Sequence, residues 1–437
     1  TTTDVIGITL SSTIGKGTVS GDGNDVFENM EHFTGSSQID SINFSALEAN
    51  TATVTIDGTN TVLINGNTSN ITNIEKIITG ANTDTFTLSN TTGIDTLDAG
   101  AGIDTLELVG TIDLSSITLL NFERIVVPNG QTATISATNL DNKTMTIELQ
   151  GSGSLIVKAT ALASDHDFDN ITINKTGTAN GTFTLQVDSS VDLRGHDING
   201  VNNILDIVKV NSGTVTLSEA QVTSGTVVVN GAGNAVVEVS TSSSTDFTSI
   251  LALTTPANET VKFTANSTFS GNFGDSNIVV NPSVTLTTSF ATTLNGKVNV
   301  LSGTGNVTLT DTNVSASNVD AVAAKIGGVL TATITDGAVL ATLNAITNVN
   351  AADTITFKTT DTSADASDIV ALKVKIDNFN VNEITTITEN AATIGTNATT
   401  ITSALAITGG TEAVLISGAI SAIDTNTIAN ATSGVVT

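Results

Sequence analysis

Short runs of alternating apolar and polar residues fill most of the chain up to about residue 310, with Gly, Asn and Ser between the runs. The alternation is clear at Val54 and Ile56. Short alternating runs bounded by turn residues predict β-strands with one buried face. Two similar phrases, 212–217 and 224–229, recur within 130–310 and favour a solenoid-like stack of strands over a β-sandwich in that segment.

The pattern changes after residue 311, where helical signals alternate with strand signals. Ser317, followed by Asp320, resembles a helix N-cap with an acidic residue three positions on. The stretches typical of helix are 321–326, 337–346 and 365–376, and those typical of strand are 329–334, 354–357 and 384–387. Helices and strands that alternate every 25–30 residues, roughly, predict a βα solenoid. From Thr399 onward the helix signals are fewer.

These patterns predict a mainly β protein. We expect an elongated, multi-domain chain with a β-solenoid, β-roll-like or stacked β-sandwich architecture, and short helices in C-terminal βα repeats. Three segments differ in their repeat, strand and helix signals, and we expect each to be a domain. They are a degenerate-repeat β domain at 1–128, a strand-rich β domain at 129–310 and a βα-repeat domain at 311–437. The turn signal of residues 128–130 marks the first boundary.

The net charge of the chain disfavours some classes of binding partner. The chain has 42 acidic and 14 basic residues, a net charge of −28, and it contains no Cys, Trp or Tyr. Such a surface repels nucleic acid and anionic lipid and attracts divalent cations. We find no apolar run long enough to cross a membrane and no signal peptide. Because the first residue is Thr, we expect that an N-terminal part is processed away or lies outside this sequence.

Gly- and Asp-rich nonapeptides carry the clearest candidate chemistry. Residues 20–27 and 99–106 fit the pattern G-G-x-G-x-D-x-U-x. A tandem copy at 92–98 directly precedes the second site and puts Asp95 nine residues before Asp104, and degenerate copies lie at 35–42 and 80–86. In this pattern the glycines form a tight loop, and the Asp supplies an oxygen ligand for Ca²⁺. Ordinary Gly/Asp turns are the alternative. The candidate calcium ligands are Asp22, Asn24, Asp25, Asp84, Asp95, Asp98 and Asp104.

A second acidic cluster contains Asp165, Asp167 and Asp169, which stand at alternate positions as at the start of an EF-hand loop. The loop lacks the Gly expected at its sixth place and the Glu expected at its twelfth, where Asn170 and Thr176 stand. These three residues are therefore candidate calcium ligands, with a solvated loop as the alternative.

A longer repeat surrounds the nonapeptides. The segments 29–33, 73–77 and 121–125 share the form N-Φ-E-basic-Φ, where Φ is apolar. Repetition at this period indicates stacked supersecondary units. The Glu and the basic residue face opposite sides of a strand, so we expect them to pair with neighbouring turns and to have a structural role.

Together, the nonapeptides and this lead-in resemble the RTX (repeats-in-toxin) group of secreted bacterial proteins over about residues 18–127. Within that group, the composition is similar to that of surface-layer proteins and large adhesins. The resemblance implies type I secretion, Ca²⁺-dependent folding outside the cell and display on the bacterial surface.

The sequence favours a non-enzymatic structural protein that binds copies of itself in a lattice or filament. An adhesin stalk or binding module, with a cell-surface polysaccharide as partner, is the alternative. A polysaccharide-cleaving β-helix enzyme is disfavoured because acidic groups are not clustered with aromatic residues. Ice binding is disfavoured as well. Thr-x-Thr recurs at 51–53 and 331–333, but ice binding needs a flat, regular array of such pairs, and these are irregular. Thr is common on any solvated strand face.

Overall fold

The computed structural model describes residues 6–10, 17–20, 24–27, 32–47, 51–58, 60–64, 67–159, 168, 170–177, 181–195, 205–223, 227–390 and 397–437. The chain divides into two compact units. The first contains Thr1–Val236 and Ile250–Thr255, and the second contains Val237–Ser249 and Pro256–Thr437. Both are built mainly from short strands in parallel sheets, which confirms the predicted mainly β class.

The described part of the first unit is made of strands of two to six residues, one short α-helix and the 3₁₀ helices Ser45–Leu47 and Ala137–Asn139. In chain order the strands are β1 (Gly7–Leu10), β2 (Gly17–Ser20), β3 (Asn24–Phe27), β4 (His32–Thr34), β5 (Ser41–Asn43), β6 (Ala52–Ile56), β7 (Thr61–Ile64), β8 (Asn67–Thr72), β9 (Lys76–Ile78), β10 (Thr85–Leu88), β11 (Thr96–Asp98), β12 (Thr105–Leu108), β13 (Ile112–Leu114), β14 (Thr118–Leu120), β15 (Arg124–Val127), β16 (Thr132–Ser136), β17 (Met145–Gln150), β18 (Ser154–Ala159), β19 (Ile171–Thr176), β20 (Phe183–Val187), β21 (Val191–Asp192), β22 (Ile207–Val210), β23 (Thr214–Ser218) and β24 (Val228–Gly231). The helix is α1 (Glu219–Thr223). Strand β25 (Asn234–Val239) follows, and β26 (Leu251–Leu253) belongs to the first unit.

In the second unit six strands come first, and α-helices alternate with strands from Ala316 onward. Its strands are β27 (Glu259–Phe263), β28 (Ser267–Phe269), β29 (Asn277–Val280), β30 (Thr285–Thr288), β31 (Leu301–Gly303), β32 (Asn306–Leu309), β33 (Leu330–Thr333), β34 (Thr354–Lys358), β35 (Ser363–Asp365), β36 (Asn378–Asn380), β37 (Thr386–Asn390) and β38 (Ala413–Ser417). Its α-helices are α2 (Ala316–Ala323), α3 (Val339–Ala345), α4 (Ala366–Lys375), α5 (Asn397–Thr408) and α6 (Ala422–Ala431).

Most strands of the first unit lie in three sheets. Sheet 1 runs β14-β11-β9-β5-β1-β2-β3, sheet 2 runs β19-β17-β15-β12-β10-β6-β7-β8-β4, and sheet 3 runs β13-β16-β18-β20-β22-β24-β26. Pairing is parallel except in the antiparallel meanders β1–β3 and β6–β8. In sheet 2, Phe86, Leu106, Ile125 and Ile147 lie side by side, 19–22 residues apart along the chain, and all four are buried. Sequence repeats of this length therefore stack their apolar faces on one another.

The second unit has two further long ladders. Sheet 4 joins β27, β29 and β31, and sheet 5 runs β28-β30-β32-β33-β34-β36. Strands β35, β37 and β38 form a smaller parallel sheet. Each helix from α2 to α5 packs against the next helix in the chain.

The helix predictions were largely right. Helices α3 and α4 confirm the predicted stretches 337–346 and 365–376. The predicted N-cap at Ser317 was wrong, because α2 starts two residues earlier and Ser315 accepts the hydrogen bond from the Asn318 N–H. Helix signals are fewer from Thr399 onward, yet α5 and α6 lie in this last segment with β38 between them. Packing of α5 against α4 and α6 outweighs its Thr-rich composition.

The strand ladders continue across the turn at residues 128–130. Strand β15 ends at Val127 and pairs with both β12 and β17, which lie on either side of that turn. The turn itself is present, with the Gln131 N–H donating to the Pro128 carbonyl over 3.1 Å. The division into three domains at residues 128 and 310 remains a prediction. The two compact units divide the chain at other positions.

Candidate functional site

Two glycine loops of the nonapeptide copies stack directly on one another. The Ala101 N–H donates to the Gly80 carbonyl over 2.8 Å. A Cβ atom at Gly100 would lie 2.0 Å from that same carbonyl oxygen, and the residue has φ +81°. Both the left-handed backbone and the close approach therefore require glycine at this position. The loop geometry expected from the motif is present here.

Acidic residues directly before successive strands form a row, which we call the long carboxylate row: Asp84, Asp104 and Glu123. Asp84 Oδ1 accepts the Ala52 N–H at 2.6 Å, and Asp104 Oδ1 accepts the Asp84 N–H at 2.6 Å. Glu123 Oε2 accepts the Asp104 N–H at 2.8 Å. Each carboxylate thus binds the backbone of the preceding strand in the sheet.

The same arrangement recurs in sheet 1 as a short carboxylate row, Asp40 and Glu75. Asp40 Oδ1 accepts the Ile6 N–H at 2.5 Å, and Glu75 Oε2 accepts the Asp40 N–H at 2.8 Å. The Ser36 N–H also donates to Asp40. Asp40, Glu75 and Glu123 were not among the predicted site residues. The signal for them was present, since Asp40 is the acid of a degenerate nonapeptide and both Glu residues belong to the lead-in repeat.

The two aspartates of the long row are almost completely buried. Asp84 is 1% exposed and Asp104 is 0% exposed, and neither Oδ2 atom has a hydrogen-bond partner in the structure. Burial raises the pKa of Asp84, partly opposed by the hydrogen bond from Ala52. Burial, together with the negative charges of Asp84 and Glu123, raises the pKa of Asp104 from its ordinary value of 3.8 to about 6, partly opposed by the Asp84 N–H. The site therefore holds two buried carboxylate oxygens, Asp84 Oδ2 and Asp104 Oδ2, that accept no hydrogen bond from the chain.

The lead-in repeat has the structural role that the sequence predicted. Asn73 and Asn121 have φ +52° and +57°, a conformation that Asn adopts more readily than most residues. Each is followed by a buried apolar residue and then by the Glu of a carboxylate row. Arg124, the basic residue of the last copy, pairs with Glu148 on the neighbouring strand β17. The first copy lies largely outside the described residues.

Of the other predicted calcium ligands, the structure describes the side chains of Asp95 and Asp98, and neither belongs to the long row. Asp95 precedes β11 and its side chain is exposed, while Asp98 Oδ1 accepts from Asn121 Nδ2 at 2.7 Å. Asn24 and Asp25 lie on β3, of which only the backbone is described, and β3 pairs antiparallel with β2. The remaining predicted ligands lie outside the described residues: Asp22, Asp165, Asp167 and Asp169.

The free carboxylate oxygens of the long carboxylate row are the type of ligand that a hard cation prefers. They are fewer than the ligands that such a cation needs. Two carboxylate oxygens are buried without a partner, and Ca²⁺ takes oxygen ligands, usually six to eight of them. Across the described part of the chain, no group of three or more acidic or His side chains is arranged to hold a metal ion. A calcium ion at Asp84 and Asp104 would therefore need backbone carbonyls and water as its other ligands.

A small cleft opens beside the short row. Its volume is about 320 Å³, and polar and apolar groups share its lining about equally. Asn60, Asn73, Asn90 and Thr92 contribute amide and hydroxyl groups, and Glu75 contributes one carboxylate. Such a lining offers hydrogen bonds to a neutral polar ligand.

Comparison with protein-family models, curated proteins and solved structures finds no match for this chain. Among the helices that the structure describes, none is both long enough and apolar enough to span a membrane.

Proposed function

We propose that this chain is a structural, non-enzymatic component of a bacterial cell-surface layer, secreted by the type I route, that assembles with copies of itself into a calcium-stabilised lattice or filament. The observation that carries the proposal is the set of hydrogen bonds that its acidic side chains accept. The carboxylates of both rows bind the backbone of a neighbouring repeat, so the chemistry of the nonapeptide motif serves to hold repeats together.

Ion pairs that join neighbouring repeats in both units also support a stack of this kind. Lys262 contacts Glu238 at 3.0 Å, and Lys175 contacts Asp206 at 2.8 Å, each across more than 20 residues of sequence. Parallel ladders with a repeat of about twenty residues are typical of solenoids. We therefore propose an elongated β-solenoid architecture for the chain.

The net charge of −28 explains why assembly would depend on calcium. Copies with this charge repel one another, and a divalent cation that binds carboxylates lowers the repulsion. Within one chain, Asp84 and Asp104 are the residues that would hold an ion. A bound Ca²⁺ would supply the positive charge that their unpartnered oxygens lack.

Light scattering during calcium titration tests this proposal. Purified protein in chelator is expected to be monodisperse and to form large particles when millimolar Ca²⁺ is added. Mg²⁺ at the same ionic strength is the control, because its preference for octahedral, partly hydrated sites makes it a poor substitute. Equal scattering with Ca²⁺, Mg²⁺ and chelator would contradict a calcium-dependent assembly.

The cleft beside Glu75 supports a second candidate, an adhesin or binding module for cell-surface polysaccharide. The amide and hydroxyl groups in its lining suit sugar hydroxyls, although aromatic residues make up only 3% of the chain. A glycan array with the wild type and with Asn90→Ala distinguishes the two candidates. Glycan binding that the substitution abolishes would favour the adhesin, whereas no glycan binding would favour the lattice protein.

A further inference from the structure

Threonines on successive strands of sheet 5 lie in register. Pairing of β28, β30, β32, β33 and β34 places Thr268, Thr287, Thr308, Thr331 and Thr354 in one column. The side chains that alternate with them are buried, as at Val307 and Ile355, so the threonines face outward. Irregular spacing along the sequence hid this regularity, because the loops between the strands differ in length.

The column belongs to a wider array with a second polar residue on most strands. Two positions along from the column lie Thr333 on β33 and Thr356 on β34, which pair with each other, and Thr356 pairs in turn with Asn378. On the other side of the column, Asn306 pairs with Thr285. Asn378 Nδ2 lies 3.4 Å from Thr356 Oγ1. Neighbouring strands in a sheet are about 4.8 Å apart, and alternate residues along one strand are about 6.6 Å apart.

Charge is almost absent from this array. Residues 227–390 are all described, and the outward side chains of the six strands of sheet 5 include no carboxylate. The one charged side chain is Lys358 at the end of β34, which pairs with Glu383 at 3.1 Å. In a chain of net charge −28, a face without carboxylates suits an uncharged partner.

Sheet 2 shows what strand propensity alone produces. Thr53, Thr85 and Thr105 also lie in register and face outward there. The column then reaches Arg124, and Glu107 and Glu148 lie on the same face. Thr is favoured on strands generally, so an interrupted column needs no further explanation. The uninterrupted neutral array is specific to sheet 5.

We propose that the outward face of sheet 5 binds the surface of ice. A ligand matched to a column of identical hydroxyl groups flanked by further polar residues must itself present a regular array of hydrogen-bonding groups, as the oxygen atoms on a face of hexagonal ice do. Each Thr hydroxyl donates and accepts hydrogen bonds and can hold a water molecule in a lattice position. Ice is also uncharged, as the array requires.

Ice affinity tests the proposal with a matched pair of variants of the full chain. Thr331→Tyr places a bulky side chain in the middle of the array, between Thr308 and Thr354. Thr85→Tyr makes the same change in the middle of the interrupted column of sheet 2. Protein at low concentration is mixed with serum albumin, ice is grown slowly, and the protein in ice and in liquid is measured. The wild type and Thr85→Tyr are expected to enter the ice, and Thr331→Tyr is expected to stay in the liquid with albumin.

A second array variant, Thr356→Lys, protects the test against misfolding, because Thr356 is exposed and the substitution leaves the core unchanged. It is expected to lose ice affinity with an unchanged melting temperature. Exclusion of the wild type from ice would overturn the proposal, as would entry of both array variants into ice. The lattice proposal is independent, because calcium-induced scattering is measured without ice. Loss of scattering in Thr331→Tyr, with a wild type that ice excludes, would identify the face as a contact between copies.

Discussion

The buried carboxylate of Asp104 gives the most quantitative prediction. Its pKa is raised to about 6 in the folded protein, mainly by burial, from an ordinary value of 3.8. Between these two values the folded state binds more protons than the unfolded state, so the free energy of unfolding rises as pH falls. For this carboxyl taken alone, the change from pH 7 to pH 5 is about 1 kcal/mol in favour of the folded state.

Substitution by Asn isolates this contribution from those of the other acidic residues. Asp104→Asn keeps the oxygen that accepts the Asp84 N–H and removes the titration. We expect the wild type to gain about 1 kcal/mol more than Asp104→Asn between pH 7 and pH 5. Asp95→Asn is the matched control, since Asp95 occupies the preceding nonapeptide copy and is exposed. Its pH dependence is expected to follow that of the wild type.

Urea unfolding at both pH values, in buffer with chelator, measures these differences directly. Chelator is needed because a bound cation would stabilise the ionised form of Asp104 and mask its titration. An equal pH dependence in the wild type and in Asp104→Asn would show that burial does not perturb this carboxyl, and would refute the reasoning.

Three further predictions concern the contacts between repeats, and each is checked by urea unfolding. Gly100→Ala is expected to cost more than about 3 kcal/mol because the new Cβ meets a backbone carbonyl, whereas Gly93→Ala, with φ +76° but open space, should cost about 1 kcal/mol; equal costs would contradict the stacking. Glu123→Ala removes an acceptor from a buried N–H and should cost about 1–3 kcal/mol, while Glu123→Gln should cost less; the reverse order would count against the long row. Lys262→Met should cost about 1–2 kcal/mol because its Glu partner is 9% exposed, and Lys297→Met, whose Asp partner is 75% exposed, should cost under about 0.5 kcal/mol; similar losses would show that burial does not matter here.

Local patterns predicted much of the fold. Alternation at Val54 and Ile56 identified β6, and the nonapeptide glycines identified the stacked loops at Gly80 and Gly100. These features depend on neighbours in sequence, or on a close approach that only glycine permits. Helix α5 was missed because its stability comes from packing against other helices.

The roles of the acidic residues were harder to predict. Asp95 and Asp104 stand nine residues apart in equivalent copies, yet one is exposed and the other is buried. The difference depends on which backbone N–H lies opposite each side chain in the neighbouring repeat, and the sequence does not specify that register. The Thr array of sheet 5 was hidden for the same reason, since loops of unequal length conceal an even spacing of strands.

Negative-stain electron microscopy of the purified chain tests the central claim most directly. If the chain forms a calcium-stabilised lattice, we expect ordered sheets or filaments with a regular lateral repeat in millimolar Ca²⁺. These should disperse into single particles when chelator is added. Monodisperse single particles that are indistinguishable with and without Ca²⁺ would contradict it.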